Sequence, residues 1–141
     1  WKRQFDTMEG GNTRAPKFPL PNNYLFLLQY GTRFSDDQVL KHVELTLDKI
    51  AMGGIYDHVG GGFARYSVDM LWKVPHFEKM LYDNAALLAL YSDAWQVTQL
   101  PVAGMWLAGL PLAVLPLWQD PNGQGAVKSL MSGDGIHAVG R

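Results

Sequence analysis

The segment from Gly53 to Asn84, GGIYDHVGGGFARYSVDMLWKVPHFEKMLYDN, constrains this chain more than any other. It joins Gly53, Gly54 and the Gly60-Gly61-Gly62 run to Tyr56, Tyr66, Tyr82 and Trp72. It also holds His58, His76, Arg65 and carboxylates at Asp57, Asp69, Glu78 and Asp83. Glycine is costly wherever its backbone freedom goes unused, and a charge is costly wherever it leaves water unpaired. A segment built only to pack would avoid both. A long connection rich in aromatic and titratable groups, set between two helical patterns, reads as a functional surface.

The flanking patterns are helical. Asn22 or Asn23 is placed to cap a first helix from Tyr24 to about Thr32, which Gly31 weakens at its end. Ser35-Asp36-Asp37-Gln38 has the capping-box form, with Ser35 as the cap and acidic residues in the first turn. Val39, Val43, Leu47 and Ile50 then recur at helical spacing as a buried stripe. Leu40, Leu45 and Met52 add apolar surface on another side, which predicts cover from two directions, and Gly53 reads as a left-handed stop. A third helix is predicted to start after Pro75 and run to about Thr98. Phe77, Met80, Leu81, Leu88, Tyr91 and Trp95 make one face of it, and Lys79 and Asp83 form an i,i+4 pair on another. Asn84 falls on the apolar face, where a buried amide must find partners, so it is expected to brace the preceding loop. Between the helices, Phe63 to Val68 alternates with period 2 and reads as one arm of a hairpin, with Val68 to Trp72 containing its turn and starting its return. Pro16, Pro19 and Pro21 predict an extended run over 15–21.

The chain's 141 residues make one ordinary domain of globular composition, 48% hydrophobic. A net charge of -1 and no basic cluster denser than Lys2-Arg3 argue against a nucleic-acid partner. The absence of cysteine removes disulfides and thiolate metal sites, and a cytoplasmic location is expected. The opening WKRQFD carries neither an initiator Met nor a signal-peptide pattern, so the chain reads as a piece of something longer. Residues 94–119 hold no charge, and Leu100 to Trp118 would nearly span a bilayer by length. Pro101, Pro111 and Pro116, with no flanking Lys or Arg, weigh against that, and no membrane is expected. Asp120 to Arg141 is glycine-rich and aperiodic and is assigned no fixed structure.

APKFP (15–19), GGIYDHVGGGF (53–63), RYSVD (65–69) and VPHFEKMLYDNA (74–85) together resemble a known family. It is the thioredoxin-domain-containing proteins related to spermatogenesis-associated thioredoxin-like protein, and the likeness covers roughly residues 5–98. The resemblance implies an all-α fold in which 1–98 opens an (α/α)6 toroid of the six-hairpin glycosidase type, similar to N-acylglucosamine 2-epimerases. It also implies an upstream thioredoxin-like domain, which this cysteine-free chain lacks. Beyond Thr98 the likeness stops, and 99–141 reads as a divergent Pro/Gly-rich tail. A shift of reading frame, an artefact of gene assignment or true divergence would each do this, and the uncharged, aperiodic composition favours the first two.

Against that background the candidate catalytic groups are Asp57, His58, His76 and Glu78. Sugar epimerisation needs a base beside a carbonyl, which imidazole supplies near neutral pH. Glycoside hydrolysis needs two carboxylates, and Asp57, Asp69, Glu78 and Asp83 are available. Arg65, Tyr66, Trp72, Tyr56 and Asp83 are the candidate substrate contacts, because rings stack on sugar faces and Arg holds hydroxyls. The plainer readings stand beside these: His76 as a helix cap, Asp57 as a partner of the glycine turn, the aromatics as a plug. GGG lacks phosphate-loop spacing, and no i,i+4 His pair suggests a metal, so neither cofactor nor metal is expected. The resulting expectation is a piece of a carbohydrate-active protein, epimerase-, isomerase- or glycosidase-like, with a sugar ligand. The alternative is a non-catalytic binding or scaffold domain of a thioredoxin-like redox protein. Three helices cannot close a toroid, so the piece alone is expected to be inactive.

Overall fold

The strongest helical pattern forms α2 (Asp37–Met52), with Val39, Val43, Leu47 and Ile50 buried along it as their spacing requires. The structure, a computed structural model, describes residues 1–99. The predicted membrane-length stretch and glycine-rich tail lie outside them. Before α2 runs α1 (Pro21–Phe34), and α3 (Leu81–Thr98) follows the glycine-rich segment. The described residues are thus all-helical in their regular structure, with a 3-10 turn at Lys2–Gln4 and no strand.

The helix boundaries depart from the sequence reading for local reasons. Helix α1 begins at Pro21, whose fixed φ suits the first helical position. Asn22 and Asn23 therefore lie inside its first turn and do not cap it. Gly31 does not end the helix either: Leu40 of α2 crosses there, and a Cβ on Gly31 would stand 2.8 Å from the Leu40 side chain. Ser35 takes left-handed backbone (φ 52°) to reverse the chain, so it cannot serve as the N-cap that the capping box predicted. That role passes to Asp36, whose carboxylate accepts from the Val39 amide at 3.2 Å. Gly53 is extended at the end of α2, not left-handed. Its lack of a side chain serves a close approach, because a Cβ there would stand 2.6 Å from the Trp72 carbonyl.

Cover for the second side of α2 comes from an unexpected quarter. Met52 is exposed, and the covered positions are His42 and Thr46, beneath the N-terminal segment. Phe5 stacks on the His42 ring at 3.6 Å, the Gly11 amide donates to Thr46 Oγ1 at 2.9 Å, and Lys49 pairs with Glu9. Lys17 is fully buried, its ammonium held by Asp6 and the Gly10 carbonyl, each at 2.7 Å. A buried ammonium is tolerable only with such partners.

Two short backbone hairpins organise residues 54–78. In the first, Tyr56 faces Phe63, with Asp57 and Gly62 closing the glycine turn. In the second, Ser67 faces Pro75, with amide bonds from Val68 to the Val74 carbonyl, from His76 to the Tyr66 carbonyl and from Arg65 to the Glu78 carbonyl. Residues 65–68 do form a hairpin arm, but the return starts at Val74, later than the pattern indicated. Lys17 pairs with the other edge of Ser67 through two 2.8 Å bonds, so the Pro-rich 15–21 run lies against this hairpin.

That second hairpin also explains why α3 starts at Leu81 and not after Pro75. Residues 76–78 use their backbone groups in extended pairing, which a helix would deny them. Phe77 is consequently 87% exposed and Trp95 36% exposed. The buried face of α3 is Leu81, Asn84, Leu87, Leu90, Tyr91 and Ala94, with Leu88 packed partly against the core.

Candidate functional site

The first hairpin uses its polar side chains internally. Asp57 Oδ1 accepts from the Val59 and Gly60 amides at 3.0 and 2.8 Å, and Oδ2 accepts from the Lys79 ammonium at 2.6 Å. Lys79 also donates to the Gly61 carbonyl. The Lys79 hydrogen bond, with the two amides, holds the Asp57 carboxyl far below the usual carboxylate range. The Lys79–Asp83 pair expected along a helix does not form, because Lys79 precedes α3 and turns to Asp57. Asn84 braces the loop as expected: its Oδ1 accepts from the Phe63 amide at 2.7 Å, and its amide nitrogen donates to the Phe63 and Met80 carbonyls. His58 lies at the exposed tip, with Nε2 3.1 Å from the Gly53 carbonyl and its ring edge-on to Tyr56. Tyr56 itself is buried beside Phe63.

Trp72 belongs to the interior. Its ring is fully buried, its indole Nε1 donates to the Glu9 carbonyl at 2.8 Å, and the Lys17 ammonium stands 5.5 Å from the ring centre. Gly11 makes room for the ring, since a Cβ there would stand 2.6 Å from it. Trp72 thus packs under the N-terminal segment and is not exposed to a ligand.

The second hairpin commits Asp69 to its own turn, where the carboxylate accepts from Ser67 Oγ and the Leu71, Lys73 and Val74 amides, but it turns other side chains outward. Arg65 Nη1 donates to Glu78 Oε1 at 2.9 Å, and His76 Nδ1 is 3.8 Å from the same oxygen. Tyr66 stacks on the His76 ring at 4.7 Å and meets Phe18 at 4.7 Å from the Pro-rich run. Arg65, Glu78 and His76 are each about half exposed. Next to them a cleft of about 390 Å³ opens between Phe18–Asn23 and the first turns of α3, lined also by Arg65, Tyr82 and Asp83. The structure therefore brings Arg65, Tyr66, His76, Glu78 and Asp83 to one place, and gathers Asp57, Tyr56 and His58 at the glycine turn.

Two carboxyls beside Arg65 have opposite tendencies. The Arg65 hydrogen bond holds Glu78 below the ordinary glutamate value, and burial pushes Asp83 above the ordinary aspartate value. Glu78 lies outside α3, so Arg65 and not a helix N-terminus supplies the cause. The sequence reading missed Phe18, Asn22, Asn23 and Tyr82 as lining residues. Phe18 was visible within APKFP, but nothing in that string shows that it lands on Tyr66. Among the described residues no three His, Asp or Glu side chains are grouped to hold a metal ion, and no helix is long and apolar enough to cross a membrane.

The chain, whose described residues are all-helical in their regular structure, with a cleft between the Pro-rich run and α3, is similar to spermatogenesis-associated protein 20. It is 48% identical to the human protein and 46% identical to the mouse protein, each over 101 residues. An uncharacterized protein of Caenorhabditis elegans is 46% identical over 99 residues. Each match covers 67% of this chain, whereas the chain spans only 12% to 14% of these relatives' length. No family model matches it.

Proposed function

We propose that this chain supplies one wall of a sugar-binding site in a larger carbohydrate-active protein, with epimerase- or isomerase-like chemistry. In this reading the three helices open an (α/α)6 toroid, and a thioredoxin-like domain precedes them in the parent. The observation that carries it is His76 set 3.8 Å from Glu78, with Glu78 bonded to Arg65 and Asp83 lining the cleft beside them. An imidazole oriented by a carboxylate, with a second carboxyl nearby, is a usual arrangement for a base and an acid. Fold alone licenses no activity.

The roles follow from the contacts. His76 Nδ1 faces Glu78 and its ring is fixed by Tyr66, so Nε2 is the nitrogen offered to a substrate. It takes the proton from the carbon next to a sugar carbonyl, and the electron pair moves onto the carbonyl oxygen. Asp83, whose pKa burial raises, is the group that returns a proton to that carbon. Arg65 and Tyr82 hold hydroxyls, and the glycine turn with Asp57 and His58 shapes the neighbouring surface. Glycoside hydrolysis would use the same two carboxyls.

The test is solvent exchange in the full-length parent. Hexoses and N-acylhexosamines incubated in heavy water should gain deuterium at the carbon beside the carbonyl. His76→Ala should abolish the exchange while leaving the melting temperature within a few degrees. A panel with no exchange at all would sink the reading. A second reading, a non-catalytic scaffold for the thioredoxin-like domain, draws on one observation. Phe26, Tyr30 and Phe34 form an exposed row of tilted ring contacts along α1, extended edge-on by Trp1. Such a patch marks a surface that packs on something else.

A further inference from the structure

Resting on the sugar-binding reading, we infer that the cleft beside Arg65 selects neutral or amino sugars and rejects sugar acids and sugar phosphates. The reasoning is a count of charge against available donors. Among the described residues Arg65 is the only cation lining the cleft, and its Nη1 already donates to Glu78 Oε1. Asp83 lines the same space and acts electrostatically on both partners. Two carboxyls therefore face one guanidinium before any ligand arrives. An incoming carboxylate or phosphate would have to displace Glu78 from Arg65 and sit beside the displaced charge. Like charges brought together in a partly desolvated site cost enough to decide specificity.

The remaining lining suits an uncharged polyol. Asn22 and Asn23 bring amides that both donate and accept, Asp83 accepts from hydroxyls, and Phe18 and Tyr82 offer ring faces to the C–H side of a pyranose. A protonated amino group would find Asp83 or Glu78 as its partner. Lys79, the nearest cation in sequence, is committed to Asp57 and the Gly61 carbonyl, so it does not reverse the balance.

The experiment is ligand-observed NMR titration of the full 141-residue chain and of its full-length parent. Hexose, hexosamine, hexuronate and hexose 6-phosphate of matched stereochemistry are compared at neutral pH and low salt. Neutral and amino sugars should bind at least about tenfold more tightly than the two anions. Glu78→Gln, which keeps side-chain shape while removing the competing charge, should narrow the gap by strengthening hexuronate binding, and Asp83→Asn should act in the same direction. Anions binding as well as the neutral sugars, or a gap unmoved by both substitutions, overturns this selectivity and leaves the sugar site standing. Absence of binding by all four classes overturns the sugar site and the selectivity with it.

Discussion

The two hairpins between α2 and α3 are built from the same kinds of residue and do different things with them. In the first, every oxygen of Asp57 is engaged by a backbone amide or Lys79, and Asn84 clamps both backbone groups of Phe63. In the second, Asp69 is likewise committed to the turn amides, but the backbone pairing with itself and with Lys17 leaves Arg65, Tyr66, His76 and Glu78 on the outside. A dense run of ionisable and aromatic side chains is therefore no measure of chemistry. What matters is whether their lone pairs and protons are already used to fold the segment. By that measure the first hairpin is a structural knot and the second a presented surface.

Both hairpins share one anchor, and removing it is the most severe test. Trp72 is buried under the N-terminal segment, and its carbonyl accepts from the Gly54 and Ile55 amides. Trp72→Ala should cost ~3–5 kcal/mol and loosen the two hairpins together. Denaturant unfolding with amide exchange would read this out. Survival of the first hairpin's protection would mean that the two are separately founded.

Acid reaches the same anchor more gently. His42 is buried with its Nε2 unpartnered, and burial lowers its pKa from 6.5 to about 4. Asp6 opposes that shift and Lys17 adds to it. Because the folded state binds this proton less readily than the unfolded state, stability is full above pH 6.5 and falls as the pH drops toward 4. The loss is at most ~3 kcal/mol. Phe5 stacks on this ring, so the N-terminal segment and the Trp72 beneath it should loosen first. Melting temperatures between pH 7.5 and 4.5 should fall more steeply for the native chain than for His42→Gln. Equal slopes would remove His42 from the account.

Asn84 separates the hairpins. Asn84→Leu removes the Asn84 hydrogen bonds to the Phe63 amide and carbonyl in a buried place, at a cost of ~2–3 kcal/mol. Exchange protection at Phe63 and Ala64 should drop while that at Ser67, bonded to Lys17, stays. If Ser67 loses protection equally, the division between knot and surface fails.

Much of this was legible in the sequence, and the misses share a cause. The α2 stripe and the bracing role of Asn84 depend on periodicity and on the cost of a buried amide, both local rules. The start of α3 was misread because Phe77, Met80 and Leu81 imitate a helical face. What overrides that pattern is pairing of residues 74–78 with 65–68, a contact between segments that periodicity does not see. Ser35 and Asp36 exchanged roles because the tight α1–α2 reversal demanded left-handed backbone at Ser35. Lys79 was assigned to Asp83 by helical spacing and went to Asp57 once that helix was absent. For the site, Arg65, Tyr66, His76, Glu78 and Asp83 were readable as residue types, but their gathering depends on the 15–21 run crossing the second hairpin. Trp72 was ambiguous until its neighbours Glu9 and Gly11 were known.

The smallest expected effect bears most directly on the presented surface. Arg65 and Glu78 are paired but half exposed, and such pairs contribute little because water and salt compete for both partners. Glu78→Gln should therefore leave the unfolding free energy nearly unchanged and the second hairpin's amide protection intact. Lys79→Met, which strips the Asp57 carboxylate of its ammonium, should cost more, about 1 kcal/mol, although Lys79 is only one position away. The order of the two, measured under one set of conditions, is the decisive quantity. Were Glu78→Gln the costlier, the Arg65–Glu78 pair would be holding the fold as Lys79–Asp57 does. The second hairpin would then be another knot, with no reason in its energetics to be the face that meets a ligand.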